Sequence, residues 1–391
     1  MKLGLVGPKS AGKTAYLSGL CARFENQIAM RPLRATEFVA LQNAGATEQM
    51  MFGLTLLAPN QLISAFKSNK ALILANPITD WPDPTKSLNA LELQLRLQFR
   101  SIGHEPGVTT AVREHKKSLK FIDPAGEALD GSLPAEHEPT IEALEDCDVL
   151  MFLLDGALLE HLLGPEPASP KREEAIRSTL QEALQFDLIR KLSHRMRARM
   201  RDSDVLPVSV VITKSDQISE AALRRIDEYL YDDVLLPFSE QNPNLLMCVC
   251  PISVYDPDYK AFSPQLLEWP FVFCVGGALM RQALAHKRAA ASAASTASYK
   301  RSEANRLEAL ASGDPLKRLW VLLFEEPFVT ADDKRGSARH YEGEAEKEGR
   351  MSASERSLGV EVWRQLATAG GALGVKLWQN GRRVETPWDV M

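Results

Sequence analysis

The most constraining feature of the chain is a glycine-rich segment near its start, GPKSAGKT, at residues 7–14. It fits the pattern G-x-x-x-x-G-K-[ST], and it stands between a short apolar run, KLGLV, and a helical pattern that begins at Lys13. Glycines allow the backbone N–H groups of such a loop to turn inward and hold phosphate oxygens, and the helix N-terminus adds positive potential. The sequence therefore predicts a strand, a phosphate-binding loop and a helix, in that order.

The residues of this loop have separate predicted roles. The side chain of Lys13 would reach the β- and γ-phosphates and act in catalysis, and the Thr14 hydroxyl would bind Mg²⁺. For Lys9 two interpretations stay open: a solvent-facing loop lysine, or a catalytic cation near the transferring phosphoryl oxygens, in cis or across a dimer. The backbone that would hold the phosphates belongs to Gly7, Ser10, Ala11, Gly12 and Lys13.

A second motif, DPAG at residues 123–126, directly follows the apolar run SLKFI. An acid at the end of such a strand can hold Mg²⁺ through water, so Asp123 is a predicted metal residue, and Gly126 can bring its N–H close to the γ-phosphate. A plain turn uses the same residue types, so the position after a strand carries the interpretation. Glu127 is the predicted water-orienting residue. A third Mg²⁺ contact is assigned to Thr85, with Thr79 as the second choice.

A third motif, TKSD at residues 213–216, follows the apolar run VSVVI. The Asp216 carboxylate can accept hydrogen bonds from guanine N1–H and the exocyclic amine, a donor pair that adenine lacks. The stem of Lys214 can pack along the base plane, and Thr213 begins the motif. Ser253, after the next apolar run, can support the base through its backbone N–H. These residues are predicted to bind GTP or GDP.

The apolar runs predict the fold class. Residues 148–154 (DVLMFLL), 208–212 (VSVVI) and 245–252 (LLMCVCPI) lack polar alternation, which is typical of parallel strands buried on both faces. Residues 91–100 (LELQLRLQFR) alternate strictly and predict a half-buried strand whose hairpin partner is 118–122. We expect an α/β protein with three layers and a mainly parallel sheet. All three motifs then lie at strand C-termini, where ligands of open α/β sheets bind.

The series GPKSAGKT, DPAG and TKSD resembles the translation-factor-related (TRAFAC) class of P-loop GTPases over about residues 1–254. Within that class the loop GPKSAGKT-YL and the segment WPFVFCVGG are most similar to the bacterial double-GTPase proteins associated with conflict and antiviral defence systems. The resemblance implies a P-loop NTPase fold, a Walker A loop, Mg²⁺-dependent GTP hydrolysis, and a protein partner such as a second GTPase. Thr213 stands where the class more often has asparagine.

Domain boundaries follow from composition. A GTPase domain is predicted over residues 1–312, with helical insertions at about 27–88 and 156–203, the second containing a helix from 171 to 201. Residues 313–391 are predicted to be a small C-terminal attachment. Residues 331–357 are rich in charge and poor in apolar side chains, so they are predicted to be a mobile connector. The aromatic-rich segment beyond it would pack on the domain or on a partner, and a hairpin is predicted around Gln379-Asn380-Gly381.

Composition narrows the function classes. The net charge of −5 argues against a dedicated nucleic-acid binder. The five cysteines lack metal-ligand spacing and are predicted to be buried thiols in a reducing compartment. Neither a signal peptide nor a membrane-spanning run is evident, so a cytoplasmic protein is expected. Besides a GTP-dependent switch, a nucleotide-stabilised assembly protein with negligible turnover, an ATPase and a dynamin-like remodelling GTPase stay open.

Overall fold

The computed structural model describes residues 1–24, 48–57, 61–78, 80–82, 89–101, 112–129, 134–164, 170–183, 188, 191–192, 194–196, 205–229, 245–311, 330–367, 375–379 and 382–384. The chain divides into two compact units. The first, called the sheet unit below, contains residues 1–278 and 359–391, and the second, the helical unit, contains residues 279–358.

The described strands of the sheet unit form a nine-stranded sheet and a separate hairpin. The order across the sheet is β11-β10-β7-β6-β5-β1-β4-β3-β2. The sheet strands are β1 (Lys2–Val6), β2 (Glu48–Leu56), β3 (Asn89–Ser101), β4 (Val112–Asp123), β5 (Val149–Asp155), β6 (Leu206–Thr213), β7 (Leu245–Pro251), β10 (Lys376–Gln379) and β11 (Arg382–Val384). The hairpin joins β8 (Ser253–Asp256) and β9 (Ala261–Gln265).

The central strands of the sheet are parallel. β1 pairs with β4 and β5, and β6 pairs with β5 and β7, all in parallel register. At both edges the added strands are antiparallel, with β2 on β3, β3 on β4, β10 on β7 and β11 on β10. The predicted hairpin of 91–100 with 118–122 is confirmed, and so is the predicted hairpin near residue 380.

The helices lie between these strands along the chain. In chain order they are α1 (Lys13–Phe24), α2 (Gln61–Ile73), α3 (Gly126–Leu129), α4 (Pro134–Glu145), α5 (Gly156–Leu163), α6 (Pro170–Ala183), α7 (Glu220–Tyr229), α8 (Glu268–Ala311) and α9 (Ala331–Gln365). None of these described helices is long and apolar enough to cross a membrane.

Helices cover both faces of the sheet, which gives three layers. On one face Phe271 at the start of α8 stacks on Phe121 of β4, and Phe24 of α1 packs against Phe52 of β2. The other face forms one apolar cluster with α4, α5, α6 and α7. The apolar runs therefore become strands because both of their faces have apolar partners to bury, as predicted for a P-loop NTPase fold.

The two predicted insertions contain regular structure where they are described. The first holds strand β2 at the sheet edge and helix α2. The second holds α5 and α6. The predicted helix from 171 to 201 is described as a helix over Pro170–Ala183, and most of residues 184–204 lie outside the described residues.

The predicted mobile connector at 331–357 is wrong, because this stretch lies within helix α9. The segment is ordered without a large apolar core, because its charged side chains bind side chains of α8 inside the helical unit. Lys334 lies 3.0 Å from Glu303, and the ring of His286 lies 2.6 Å from Glu348. Alanine, glutamate, lysine and arginine are also good helix formers. A low content of apolar residues predicts disorder for a segment considered alone, whereas here two paired helices satisfy each other's charges.

The predicted separate C-terminal attachment is also corrected. Trp363 is fully buried and donates its indole N–H to the carbonyl of Phe273 at 3.2 Å. Gly276 leaves room for that ring, because a Cβ there would stand 2.3 Å from the indole nitrogen. Farther on, β10 extends the sheet beside β7. The aromatic tail thus belongs to the sheet unit, and the division at residue 312 does not separate two compact bodies.

Candidate functional site

A cavity of about 470 Å³ opens at the C-terminal ends of the central parallel strands. Its walls come from the loop after β1, the start of α3, the loop after β6 and the hairpin strand β8. All but two of the described residues that were predicted to form the site lie on it: Lys9, Ser10, Ala11, Gly12, Lys13, Thr14, Gly126, Glu127, Thr213, Lys214, Asp216 and Ser253. The three motifs therefore meet at one place.

The glycine-rich loop wraps around the ammonium group of Lys13. Ser10 and Gly12 take positive φ angles of 69° and 84°, which curve the backbone. Lys13 donates to the carbonyl oxygens of Gly7 at 2.5 Å and Pro8 at 3.0 Å. Only 6% of Lys13 is exposed, and burial lowers the pKa of its ammonium, although nearby carboxylates oppose that shift. A buried cation with carbonyl partners alone is suited to exchange them for phosphate oxygens.

The DPAG segment touches this loop directly. Asp123 ends β4 and is 5% exposed, and its carboxylate favours the charged form of Lys13. At Gly126 a Cβ would stand 2.5 Å from the backbone nitrogen of Lys9, so only glycine allows this approach. The two loops are thus packed backbone to backbone beside the predicted position of the γ-phosphate.

Two predicted catalytic side chains form an ion pair across these loops. The ammonium of Lys9 lies 2.8 Å from the carboxylate of Glu127. The hydrogen bond from Lys9 is the main reason why the pKa of Glu127 falls below its usual value. Glu127 is therefore anionic at neutral pH, and its charge is partly balanced by Lys9.

The loop 213–216, which we call the base-recognition loop, is fixed at several points. The Thr213 hydroxyl lies 3.0 Å from both the Ala11 and Leu154 carbonyl oxygens. Ser253 is buried, and its hydroxyl donates to Asp216 at 2.8 Å. This contact comes from the side chain of Ser253, whereas the sequence predicted a role for its backbone N–H. Asp216 itself is exposed and lines the cavity, and the hydrogen bond from Ser253 restricts the orientation of its carboxylate.

Two oxygen donors, one on the cavity and one on the strand β4 behind it, are of the kind that a magnesium ion binds. Thr14 offers a hydroxyl in the first turn of α1, and Asp123 offers a buried carboxylate. Mg²⁺ prefers one or two carboxylates together with phosphate oxygens and waters over an all-protein cage. The described part of the chain contains no cluster of three or more His, Cys, Asp or Glu side chains that could hold a metal ion.

The remaining predicted residues lie elsewhere or cannot be placed. Gly7 stands at the start of the glycine-rich loop, where its carbonyl binds Lys13. Thr79 and Thr85 both lie outside the described residues.

Several cavity residues had no signal in the motifs. Trp81 and Tyr255 line the wall with their ring centroids 5.5 Å apart, and Pro82 and Gln217 also line the cavity.

Asp155 lies behind the cavity wall, at the end of β5, where its carboxylate is 2.6 Å from the ammonium of Lys214. Its position at the end of an apolar run was the one signal in the sequence that pointed to Asp155, and the position directly after a strand is also what identified Asp123.

One family of known proteins matches part of the chain. Residues 108–242 match the family model of Double-GTPase 2. The matched segment contains both DPAG and TKSD, and the resemblance to double-GTPase proteins stated from the motifs is thereby confirmed for this part of the chain. No curated protein matches the chain.

Proposed function

Because residues 108–242 match the Double-GTPase 2 family model, we propose that the chain binds GTP with Mg²⁺ and hydrolyses it to GDP and phosphate. The observation that carries the proposal is the meeting of all three motifs on one cavity. Asp216 stands at one end, where a guanine edge would bind, and the glycine-rich loop stands at the other, where phosphates would bind. The cavity thus offers a base site at one end and a phosphate site at the other, as the two ends of a nucleotide require.

The chemistry follows from the charges at the phosphate end. Water attacks the γ-phosphate, and negative charge develops on the phosphoryl oxygens as the bond to the β-phosphate oxygen breaks. The ammonium of Lys13 and the loop N–H groups stabilise that charge without reorganising. Bound Mg²⁺, held by Thr14 and through water by Asp123, would neutralise further charge on the phosphates. We also propose that Thr85 supplies a third contact to this Mg²⁺ ion.

A second candidate function is a nucleotide-stabilised assembly protein with negligible turnover. The Lys9–Glu127 ion pair favours it, because Lys9 holds the carboxylate that would otherwise orient the attacking water. In either case we propose a cytoplasmic protein that acts as a nucleotide-dependent component of a bacterial multiprotein system, with a protein partner such as a second GTPase. Buried thiols at all five cysteines agree with a reducing compartment.

Hydrolysis by the purified full chain tests the proposal. We expect phosphate release from GTP that requires Mg²⁺ and is absent with ATP, at a low intrinsic rate. Tight GTP binding without phosphate release would favour the assembly protein. Equal release from ATP and GTP would show that TKSD does not recognise guanine.

Replacing Glu127 with alanine tests its proposed role beside the γ-phosphate. A positioned group of this kind contributes about 10²–10⁴-fold to a rate, but a carboxylate near phosphates also repels them. We therefore expect Glu127→Ala to lower the single-turnover rate by only roughly tenfold, which is below that range. The affinity for GTP should change little. An unchanged rate would leave Glu127 as the ion-pair partner of Lys9 alone. Glu142→Ala, an exposed glutamate on α4, is the control.

A further inference from the structure

We propose that Asp155 is a positioning residue for nucleotide recognition, which holds the base-recognition loop in its binding conformation through Lys214. This inference rests on the proposed function, because it assigns a second layer of residues to the same site. Asp155 belongs to none of the three motifs, and it does not line the cavity. Its effect on a nucleotide would therefore be transmitted by Lys214.

The two oxygens of the Asp155 carboxylate bind different partners. Oδ1 accepts hydrogen bonds from the backbone N–H groups of Ala157 and Leu158, at 3.0 and 3.4 Å, and so caps the N-terminus of α5. Oδ2 accepts a hydrogen bond from the ammonium of Lys214 at 2.6 Å. A carboxylate held by two N–H groups cannot turn away, so the position of its second oxygen is set by the helix.

The backbone around Asp155 is fitted closely to the base-recognition loop. At Gly156 a Cβ would stand 2.3 Å from the carbonyl oxygen of Thr213, which leaves no space for any other residue. One turn farther along α5, Glu160 accepts a hydrogen bond from the N–H of Ser219 at 2.6 Å. Helix α5 therefore contacts the base-recognition loop at its first residue and the chain three residues beyond its last one.

The conformation of Lys214 shows what this support achieves. Lys214 has φ 52° and ψ 41°, the left-handed region that a residue with a side chain seldom adopts, and it stands directly before a 3₁₀ turn over Ser215–Gln217. Such a conformation persists only where its surroundings hold it. With its ammonium held by Asp155, the Lys214 stem takes one course along the cavity wall, and the turn that carries Asp216 starts from a fixed point.

The substitution Asp155→Asn separates the two roles of the carboxylate, which caps α5 and binds Lys214. Its Oδ1 can still cap α5, while its amide nitrogen cannot accept a hydrogen bond from Lys214. We expect Asp155→Asn to weaken GTP and GDP binding by the same factor, roughly tenfold, which lies within the range for directly coupled neighbours. The two nucleotides should be affected equally because they share the guanine base and differ only in the γ-phosphate. The rate at saturating GTP should stay unchanged.

A double-mutant cycle shows whether the effect passes through the ammonium. Lys214→Met keeps an apolar stem and removes the charge, so we expect Asp155→Asn to have no further effect on GDP affinity in that background. A purely structural role would instead give additive losses and a lowered unfolding midpoint, as expected for Asp155→Ala, which removes the cap as well. Asp146→Asn breaks a comparable ion pair with Lys2, and it should leave nucleotide affinity unchanged.

The outcomes separate this inference from the proposed function. If the wild-type protein binds GDP and Asp155→Asn binds it equally well, the positioning role is refuted and the guanine site stands. Additive losses in the cycle would refute it in the same way. If the wild-type protein binds neither GTP nor GDP, the proposed function fails and takes this inference with it.

Discussion

Replacement of Lys13 with alanine is expected to abolish tight binding of GTP. The side chain is buried in the glycine-rich loop, and in the described part of the chain its ammonium donates to the backbone carbonyl oxygens of Gly7 and Pro8. In a nucleotide complex it would instead donate to two phosphate oxygens. Charge-assisted hydrogen bonds contribute about 1.5–3 kcal/mol each, so losing two of them should weaken binding by at least about 100-fold.

Isothermal titration of wild type and Lys13→Ala with GTP and Mg²⁺ measures this difference. Lys2→Ala is the matched control, because Lys2 is an exposed lysine at the opposite end of β1 and should keep wild-type affinity. Circular dichroism and an unfolding curve must show that Lys13→Ala is folded. A folded Lys13→Ala protein with unchanged affinity would contradict the assignment of the glycine-rich loop as the phosphate site.

The sheet and the position of the site were predictable because both depend on local patterns. An apolar run without polar alternation has to be buried on both faces, and β5 and β7 are. Each motif directly follows such a run, so the parallel arrangement brings the motif residues to one edge of the sheet. The prediction did not need the order of strands in the sheet, since every parallel strand ends at that edge.

The tail was not predictable because its structure depends on partners distant in sequence. Helix α9 pairs its charges with α8, as Lys334 does with Glu303, and the local sequence contains no sign of that partner. Trp363 fills a space that exists only because residue 276 is a glycine. A charge-rich composition predicts disorder when each segment is considered alone. That prediction is wrong when the opposite charges of two such segments pair with each other.

The interactions between the site residues could not be predicted from the sequence either. The sequence placed Lys9 and Glu127 near one phosphate position but did not show that they bind each other. It identified Asp216 as the base-recognition residue but not the hydroxyl of Ser253 that orients it. A motif indicates which side chains would contact a ligand. The residues that hold those side chains in place lie elsewhere in the sequence, so the motif does not identify them.

The strongest test of the base-recognition loop is a change of specificity. Guanine offers two donors, N1–H and the exocyclic amine, to the two acceptor oxygens of Asp216. Xanthine has a carbonyl in place of that amine, and therefore offers one donor and one acceptor. An asparagine side chain is complementary to xanthine, because it presents one acceptor and one donor. The hydroxyl of Ser253 can still donate to the amide oxygen of such a variant.

Asp216→Asn is accordingly expected to lose GTP affinity and to gain affinity for xanthosine triphosphate. The loss should be about 2–4 kcal/mol, or roughly 30- to 1,000-fold, because a charged bidentate contact is replaced by a mismatch that leaves one donor unpaired. Competition binding of both nucleotides to wild type and variant measures the exchange. Asp332→Asn, which changes an exposed aspartate of the helical unit, should leave both affinities as they are. If wild type binds ATP as tightly as GTP, or if the variant keeps its preference for guanine, then Asp216 does not recognise the base.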